Sequence, residues 1–479
     1  MTLTKLKLKT PYRNVDEVSI SDNLFKLQDL SRDEIGAVAY RPGLETFLDL
    51  GTNEAVDGFH WFDFYGKGVA VSDGRVFVIS DRFGTFSEIS GTGTLAKGVR
   101  CTFAEQYDGS NNLLLYIANG ADLIYTDLST YAKHPDWTHS RKASHIAAFR
   151  QRLLTNDTGS ARRDLWYATA AGDAQDFTTG DSFSAESQPD DILALNTSND
   201  RIFLYGRARI EVWANVTGAI PFRPETVISS GIFSGDSLVD IDGVNFYVND
   251  RREVTALKQY TTTNLSLPID RDIQALSYVD DVRIDRVTSV QGKNWILANF
   301  PTSQRTFAYN LLTQEWEDWG FYAGATYGRY LGQNYIFSKK WGLNLIGSRR
   351  NGKIYKISNS VYQDDGEAIR GQMTTGNIDH GTGNLKRCRM LRVTVKRGTG
   401  KTGDTGTAPK MYLQYRDDRE SLWSNNIELD LGILGDRNAY EAEIYGLGMY
   451  RSRQWRITFA DNADLQLVEL SEDVTEVKR

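Results

Sequence analysis

Cysteine is nearly missing from this chain: Cys101 and Cys388 are the two it has in 479 residues. They lie far apart and support no disulfide framework, so the fold must rest on packing, and synthesis in a reducing compartment is expected. Proline is scarce as well, nine residues against 42 glycines and 24 tyrosines. That balance suits many short strands joined by tight turns. No apolar run approaches the roughly 18 residues that span a bilayer, so insertion into a membrane is not expected. The first residues alternate leucine with lysine but lack an apolar signal core, which argues against a secretory leader. Acid outweighs base, with a net charge of −7. Such a surface is a poor match for sequence-reading contact with nucleic acid phosphates.

What the chain has is short β runs. From Ser184 to Gly218, the apolar run Ile192–Leu195, the polar turn Asn196–Asp200 and the run Ile202–Tyr205 lead through Gly206-Arg207 to Ile210–Trp213. Runs of β-branched and aromatic residues broken by Gly, Asn and Asp read as antiparallel strands. Three such strands alone would leave raw edges and an unburied face, so the unit needs copies of itself.

The layout does recur. First strands are expected near Phe59, Val99, Ser144, Asp190, Ser237, Asp285 and Ala325. A period of about 40–48 residues with three or four strands per unit is the mark of β-propeller blades. The expectation is all-β: a propeller of about seven blades, six being possible, over residues 51–365, then a C-terminal β-sandwich over 366–479. The competing architecture is one or two irregular sandwiches. The seventh blade is read as Ala325–Tyr330, Tyr335–Ser338 and Leu343–Ile346, closed by Lys353–Ile357. Residues 1–50 are read as a lead-in that completes the first sheet or packs on a neighbour, with a short helix around Asp22–Leu30.

Candidate chemistry is thin. Gly398-Thr399-Gly400-Lys401-Thr402 imitates a phosphate loop, but Val395 stands where the pattern needs glycine and no helix can follow. His134, His139 and His145, with Asp136, are spaced five and six apart, off any single helix face, and no cysteine is near. The carboxylate pairs Asp190-Asp191, Asp280-Asp281, Asp364-Asp365 and Asp417-Asp418 invite a glycosidase reading. The stretches Ser80–Phe86 and Tyr415–Trp423 come near an aspartate-turn pattern, yet all serve equally well as hairpin turns. No nucleophile sits beside a base and oxyanion donors. Neither catalysis nor a cofactor is expected. Lys386, Arg387, Arg389, Arg392, Lys396, Arg397 and Lys401 run without an intervening acid, and Arg451, Arg453 and Arg456 follow. Their functional reading is a positive docking face, Lys386 to Arg397 above all, for an acidic protein partner or passing DNA; the plain reading is a solvated sheet face.

Several of these residues carry a resemblance. Ala185-Glu186-Ser187-Gln188-Pro189-Asp190, the strand after it, and Ile210–Trp213 leading to Thr217-Gly218 resemble the packaged-DNA stabilisation proteins of short-tailed phages, also called tail hub or nozzle proteins. Arg41-Pro42-Gly43, Asn299-Phe300-Pro301, Glu315-Trp316 and the run from Gly448 to Trp455 echo the family in the same order. The resemblance implies a virion structural protein, a homo-hexameric ring below the portal and its adaptor ring. Such a ring continues the DNA channel, with DNA as passing cargo, holds in the packaged genome and anchors tail spikes or fibres and a needle or plug. The alternative is a glycan-binding or glycan-cleaving propeller acting as a tail receptor-binding protein.

Overall fold

The structure, a computed structural model, describes residues 4–5, 25–32, 37–137, 141–185, 190–216, 220–290, 292–436 and 441–477. Among these residues, seven four-stranded antiparallel blades form a ring. Blades 1 to 6 occupy residues 56–89, 102–133, 146–184, 194–228, 238–264 and 283–318. Their innermost strands start at Val56, Thr102, Ile146, Ala194, Leu238 and Arg283, and that of blade 7 at Gly332, which puts successive starts 44–49 residues apart.

Alternation in each strand explains the stacking, because successive side chains leave a strand on opposite faces. In blade 4, Ile202 and Leu204 enter a core shared with Leu154 and Trp166 of blade 3. Their neighbours Phe203 and Tyr205 enter the core shared with Tyr247 and Leu257 of blade 5. Each blade boundary has one such core, and Leu48, Trp61, Phe77 and Ile336 build the one that joins blade 7 to blade 1. Fully burying each large apolar side chain contributes about 1.5–3 kcal/mol. Tight turns link the strands: Asp73 and Gly74 have φ of 57° and 71°, as a two-residue hairpin turn requires.

The ring closes with a strand from the other end of the chain. Blade 7 consists of Gly332–Ser338, Leu343–Ser348, Lys353–Ser358 and Gly43–Asp49. Gly43–Asp49 pairs antiparallel with Lys353–Ser358, so Leu44 lies opposite Ile357 and Leu48 opposite Ile354. This differs from the expected seventh blade by one strand. Thr326–Arg329 folds back on Gly320–Ala323 as a separate hairpin, and the strand that completes the sheet lies some 300 residues earlier in the chain. The lead-in therefore completes the last sheet rather than the first.

Most of the remaining strands form two facing sheets. One runs Leu30–Arg32, Val38–Tyr40, Gln466–Glu476, Lys386–Val395, Glu441–Tyr445; the other runs Phe25–Gln28, Gly371–Thr375, Arg453–Phe459, Lys410–Asp417, Ile427–Asp430. Between them lies a core that includes Leu27, Met373, Leu391, Val393, Val395, Leu413, Trp455, Ile457 and Leu470. Residues 25–40 thus complete this sandwich. Phe25–Gln28 is extended and pairs with Gly371–Thr375, so the helix expected there is replaced by strand pairing; positions 22–24 lie outside the described residues. The only described α-helix is the single turn Asp270–Gln274 between blades 5 and 6.

Candidate functional site

Two places concentrate buried polar groups: the seam between propeller and sandwich, and the axis of the ring. The seam exists because Phe25–Gln28 adds to the outer edge of blade 6, with Gln28 opposite Asp318 in parallel register. The second sandwich sheet thereby continues the sheet of blade 6. Arg41 is the hub of the seam and is 1% exposed. Its Nε donates to Asp29 Oδ1 (2.7 Å), and its other two nitrogens donate to the two oxygens of Asp364 (3.2 and 2.6 Å). It also donates to the carbonyls of Pro42 (3.1 Å) and Gly320 (2.6 Å), and its guanidinium lies 4.8 Å from the Tyr330 ring. Gly43 must be glycine: a Cβ there would stand 2.3 Å from the Val361 carbonyl oxygen.

Along the same seam Arg32 pairs with Glu315 (2.6 Å) and Lys26 with Asp318 (3.1 Å). Ser31 donates to Glu317 Oε1 (2.7 Å), and Trp319 Nε1 to Glu317 Oε2 (2.8 Å). Glu317 is fully buried, and burial pushes its carboxyl up to about 7 against those donors. These contacts hold the two units in one orientation.

The axis holds a cavity of about 580 Å³ lined by the innermost strands of all seven blades. One end is barred. Arg100, in the connector to blade 2, reaches across the ring and donates to the carbonyls of Asp236 (2.9 Å) and Ile284 (2.8 Å) and to Asp285 Oδ1 (3.1 Å). His145 of blade 3 meets the Gly235 carbonyl (3.1 Å) nearby, and burial holds its imidazole below the usual range. On the wall His60 stacks on Phe103 (5.2 Å) and pairs with Glu105 (2.8 Å). A cavity of this size, crossed by a guanidinium, is no passage for a duplex about 20 Å wide, given grooves alone of about 6 and 12 Å.

The expected basic face is not an open positive surface. Lys386 is buried, its Nζ donating to the carbonyls of Thr382, Asn384 and Arg451 (2.7 Å each). Arg389 lies 3.5 Å from Asp473, Arg392 pairs with Glu441 (3.4 Å) and Glu443 (2.8 Å), and Lys396 pairs with Asp464. Arg397 donates to the Asp430 carbonyl (3.0 Å). Of the six, Arg387 is exposed with no ion pair among the described residues. Acids from neighbouring strands and loops, remote in sequence, compensate a run that contains none of its own. Arg453 is likewise buried, held by Asp417 at 2.6 and 2.8 Å.

The other candidates are structural ties. Asp190 accepts from the Ala208 backbone (2.8 Å) and Asp281 from Thr302 (2.8 Å). Asp365 pairs with Lys353 (2.9 Å), and Asp418 accepts from the backbones of Arg451 and Ser452 (2.8 and 2.9 Å). Asp81 caps its turn through Phe83 and Thr85 (2.9 and 3.1 Å). His134 is buried against the Ala174 carbonyl (2.9 Å), away from His145. No group of three metal-ligating side chains occurs among the described residues, and no described helix is long and apolar enough to cross a membrane. His139, Glu186 to Pro189 and Thr217-Gly218 lie outside the described residues. Other family echoes fall on buried ties: Arg41 and Gly43 at the seam, Glu315 beside Arg32, and Trp455 with Tyr450 on Glu472. Most contacts of the seam and the Arg100 bar join residues more than 100 positions apart, which no local pattern in the sequence reveals.

Fold and buried ties together define a seven-bladed propeller protein with a sandwich locked to its sixth and seventh blades. Residues 23–362 match the family described as bacteriophage P22 Gp10, beta-propeller, and the chain belongs to that family of structural phage proteins. Among the curated proteins nothing matches. Among solved structures it is similar to the extracellular domain of the putative one component system BT4673 from B. thetaiotaomicron, at 10% identity and TM-score 0.42, covering 92% of this chain and 62% of that one. It therefore spans less than two thirds of that relative. It is also similar to U3-55K, at 9% identity and TM-score 0.40 over 66% of this chain and 98% of that one. An exo-beta-1,3-galactanase from Phanerochaete chrysosporium aligns at 10% identity and TM-score 0.26 over 78% of this chain and 95% of that one. Likenesses this weak bear on neither activity nor partners.

Proposed function

We propose that this chain is the tail hub, or nozzle, subunit of a short-tailed phage virion and that it is not an enzyme. Six copies form a ring below the portal–adaptor complex. The ring extends the DNA channel, retains the packaged genome and anchors spikes or fibres and a needle or plug. The observation that carries this reading is family membership over residues 23–362. The barred propeller axis supports one detail: DNA travels between copies of the chain, not through a propeller. The outward side of the Lys386–Val395 sheet, where Arg387 and Arg389 stand near exposed Met449, is the docking face for the adaptor.

The test mixes the purified chain with the isolated portal–adaptor complex and images the product by electron microscopy. Six-fold rings on the adaptor are expected, and Arg387→Glu with Arg389→Glu should weaken attachment while the free chain stays folded. A chain that ignores the adaptor and instead binds or cleaves host glycan would sink the reading.

A further inference from the structure

Arg329 ends the hairpin that precedes the innermost strand of blade 7, on the barred end of the ring. It is 5% exposed, and burying a cation is costly unless it is paired and hydrogen-bonded. Yet among the described residues its Nε has no hydrogen-bond partner, and its NH2 donates to the neutral Gln333 side chain alone (2.7 Å). Two carboxylates are close enough to act on it electrostatically, and each is engaged elsewhere. Asp285 accepts from Arg100 (3.1 Å), Asn334 (3.1 Å) and Asn299 (2.9 Å); Asp281 accepts from Thr302.

More positive charge surrounds it. Arg349 packs over the same backbone, donating to the carbonyls of Tyr330 and Arg329 (2.9 Å each), and Arg350 follows it, exposed, over the Phe321 ring at 5.6 Å. None of the three forms an ion pair among the described residues. Burial and the neighbouring Arg349 push the Arg329 guanidinium down to about 9, and burial pushes Arg349 down to about 10; both remain charged at neutral pH. Beside them is room: a Cβ on Gly328 would meet only Gln304 at 3.5 Å and Arg349 NH2 at 4.0 Å.

We propose that Arg329 and Arg349, with Arg350 beside them, form a binding site for a phosphate-class oxyanion. Three cations that form no ion pair among the described residues call for a multiply charged anion, and guanidinium forks match the geometry of tetrahedral oxyanions. Gly328 leaves open the approach beside the Arg349 head group.

The experiment compares thermal unfolding of the purified chain in chloride, acetate and phosphate at one ionic strength. A ligand bound only to the folded state raises its stability, so phosphate at tenfold excess over its Kd should raise the melting temperature by roughly 2 °C above chloride. Arg329→Met and Arg349→Met should each lose that response, and Arg329→Met should be no less stable in chloride because it removes a buried charge that has no ion-pair partner among the described residues. Gly328→Val keeps every charge but fills the space, and should lose the response too. Phosphorus NMR of phosphate titrated with the unmodified chain reads binding without any variant. Equal melting in phosphate and chloride, a response retained by both arginine variants, or an equal response to acetate overturns the assignment. The measurement uses the free chain, so it stands apart from the tail reading.

Discussion

Arg41 and Asp364, 323 positions apart, form a two-pronged ion pair at 3.2 and 2.6 Å in the seam between propeller and sandwich. The same guanidinium holds Asp29 at 2.7 Å, and all three side chains are at most 4% exposed. Removing the cation would strand two carboxylates away from water, a change that costs about 3–5 kcal/mol where a buried pair is broken from one side. Arg41→Ala is expected to lower the stability of the chain by that much in chemical denaturation. Arg41→Lys, which cannot reproduce the fork, should recover only part of it.

Glu317 makes the seam sensitive to pH. Its carboxyl is raised from 4.5 to about 7 by burial, so the folded state holds its proton more tightly than the unfolded chain does. The stability this contributes is fully present below about pH 4.5 and is lost as pH rises through 7. At 1.36 kcal/mol per unit the loss is roughly 3 kcal/mol. Glu317→Gln keeps the shape, and the Ser31 hydroxyl can turn to accept from the amide. The variant should show a flatter stability profile between pH 4.5 and 7.5 and exceed the natural chain at pH 8; an unchanged slope would reject the assignment.

Local periodicity was enough to place most blades, because alternation such as Ile202–Tyr205 is written in adjacent residues and each face meets its own core. What could not be read there depends on distant partners. The outermost strand of blade 4, Phe222–Ile228, is largely exposed and carries Pro224, which an edge strand tolerates and a central one does not. It therefore looks like a loop. The seventh blade was misphased because its fourth strand is Gly43–Asp49. The charge balance of the basic run was hidden for the same reason: Glu441, Glu443, Asp464 and Asp473 pair with Arg389, Arg392 and Lys396 from other strands and loops. Arg41-Pro42-Gly43 carried a family signal in the chain, but nothing local told of Asp29 and Asp364.

The Arg100 bar predicts a change in thiol reactivity. Cys101 lies next to it, is 5% exposed and lines the axial cavity, and burial raises its pKa far above that of an ordinary thiol. It should react slowly with a thiol reagent at pH 8 in the natural chain. Arg100→Ala removes three hydrogen bonds across the ring and opens that end of the cavity, so labelling of Cys101 should accelerate at least tenfold, about 1.4 kcal/mol in the opening equilibrium. Cys388, buried in the sandwich core, is the internal control and should not change.

Ring closure by Gly43–Asp49 makes the stability of the whole propeller depend on one early strand. Leu44 is fully buried in the core between blades 6 and 7, while Leu48, 7% exposed, lies in the core between blades 7 and 1. Each therefore secures one side of the closing blade. Truncating a buried leucine to alanine costs about 2–5 kcal/mol, and that range is expected for Leu44→Ala and Leu48→Ala. Because the two face different cores, their effects should add within about 0.5 kcal/mol in the double variant. Glu45, exposed on the same strand, should tolerate alanine within about 0.5 kcal/mol. Denaturant titration of the four variants decides the matter. A strand that merely lies against the ring would give small costs at both leucines, whereas a closing strand gives large costs at both and almost none at Glu45.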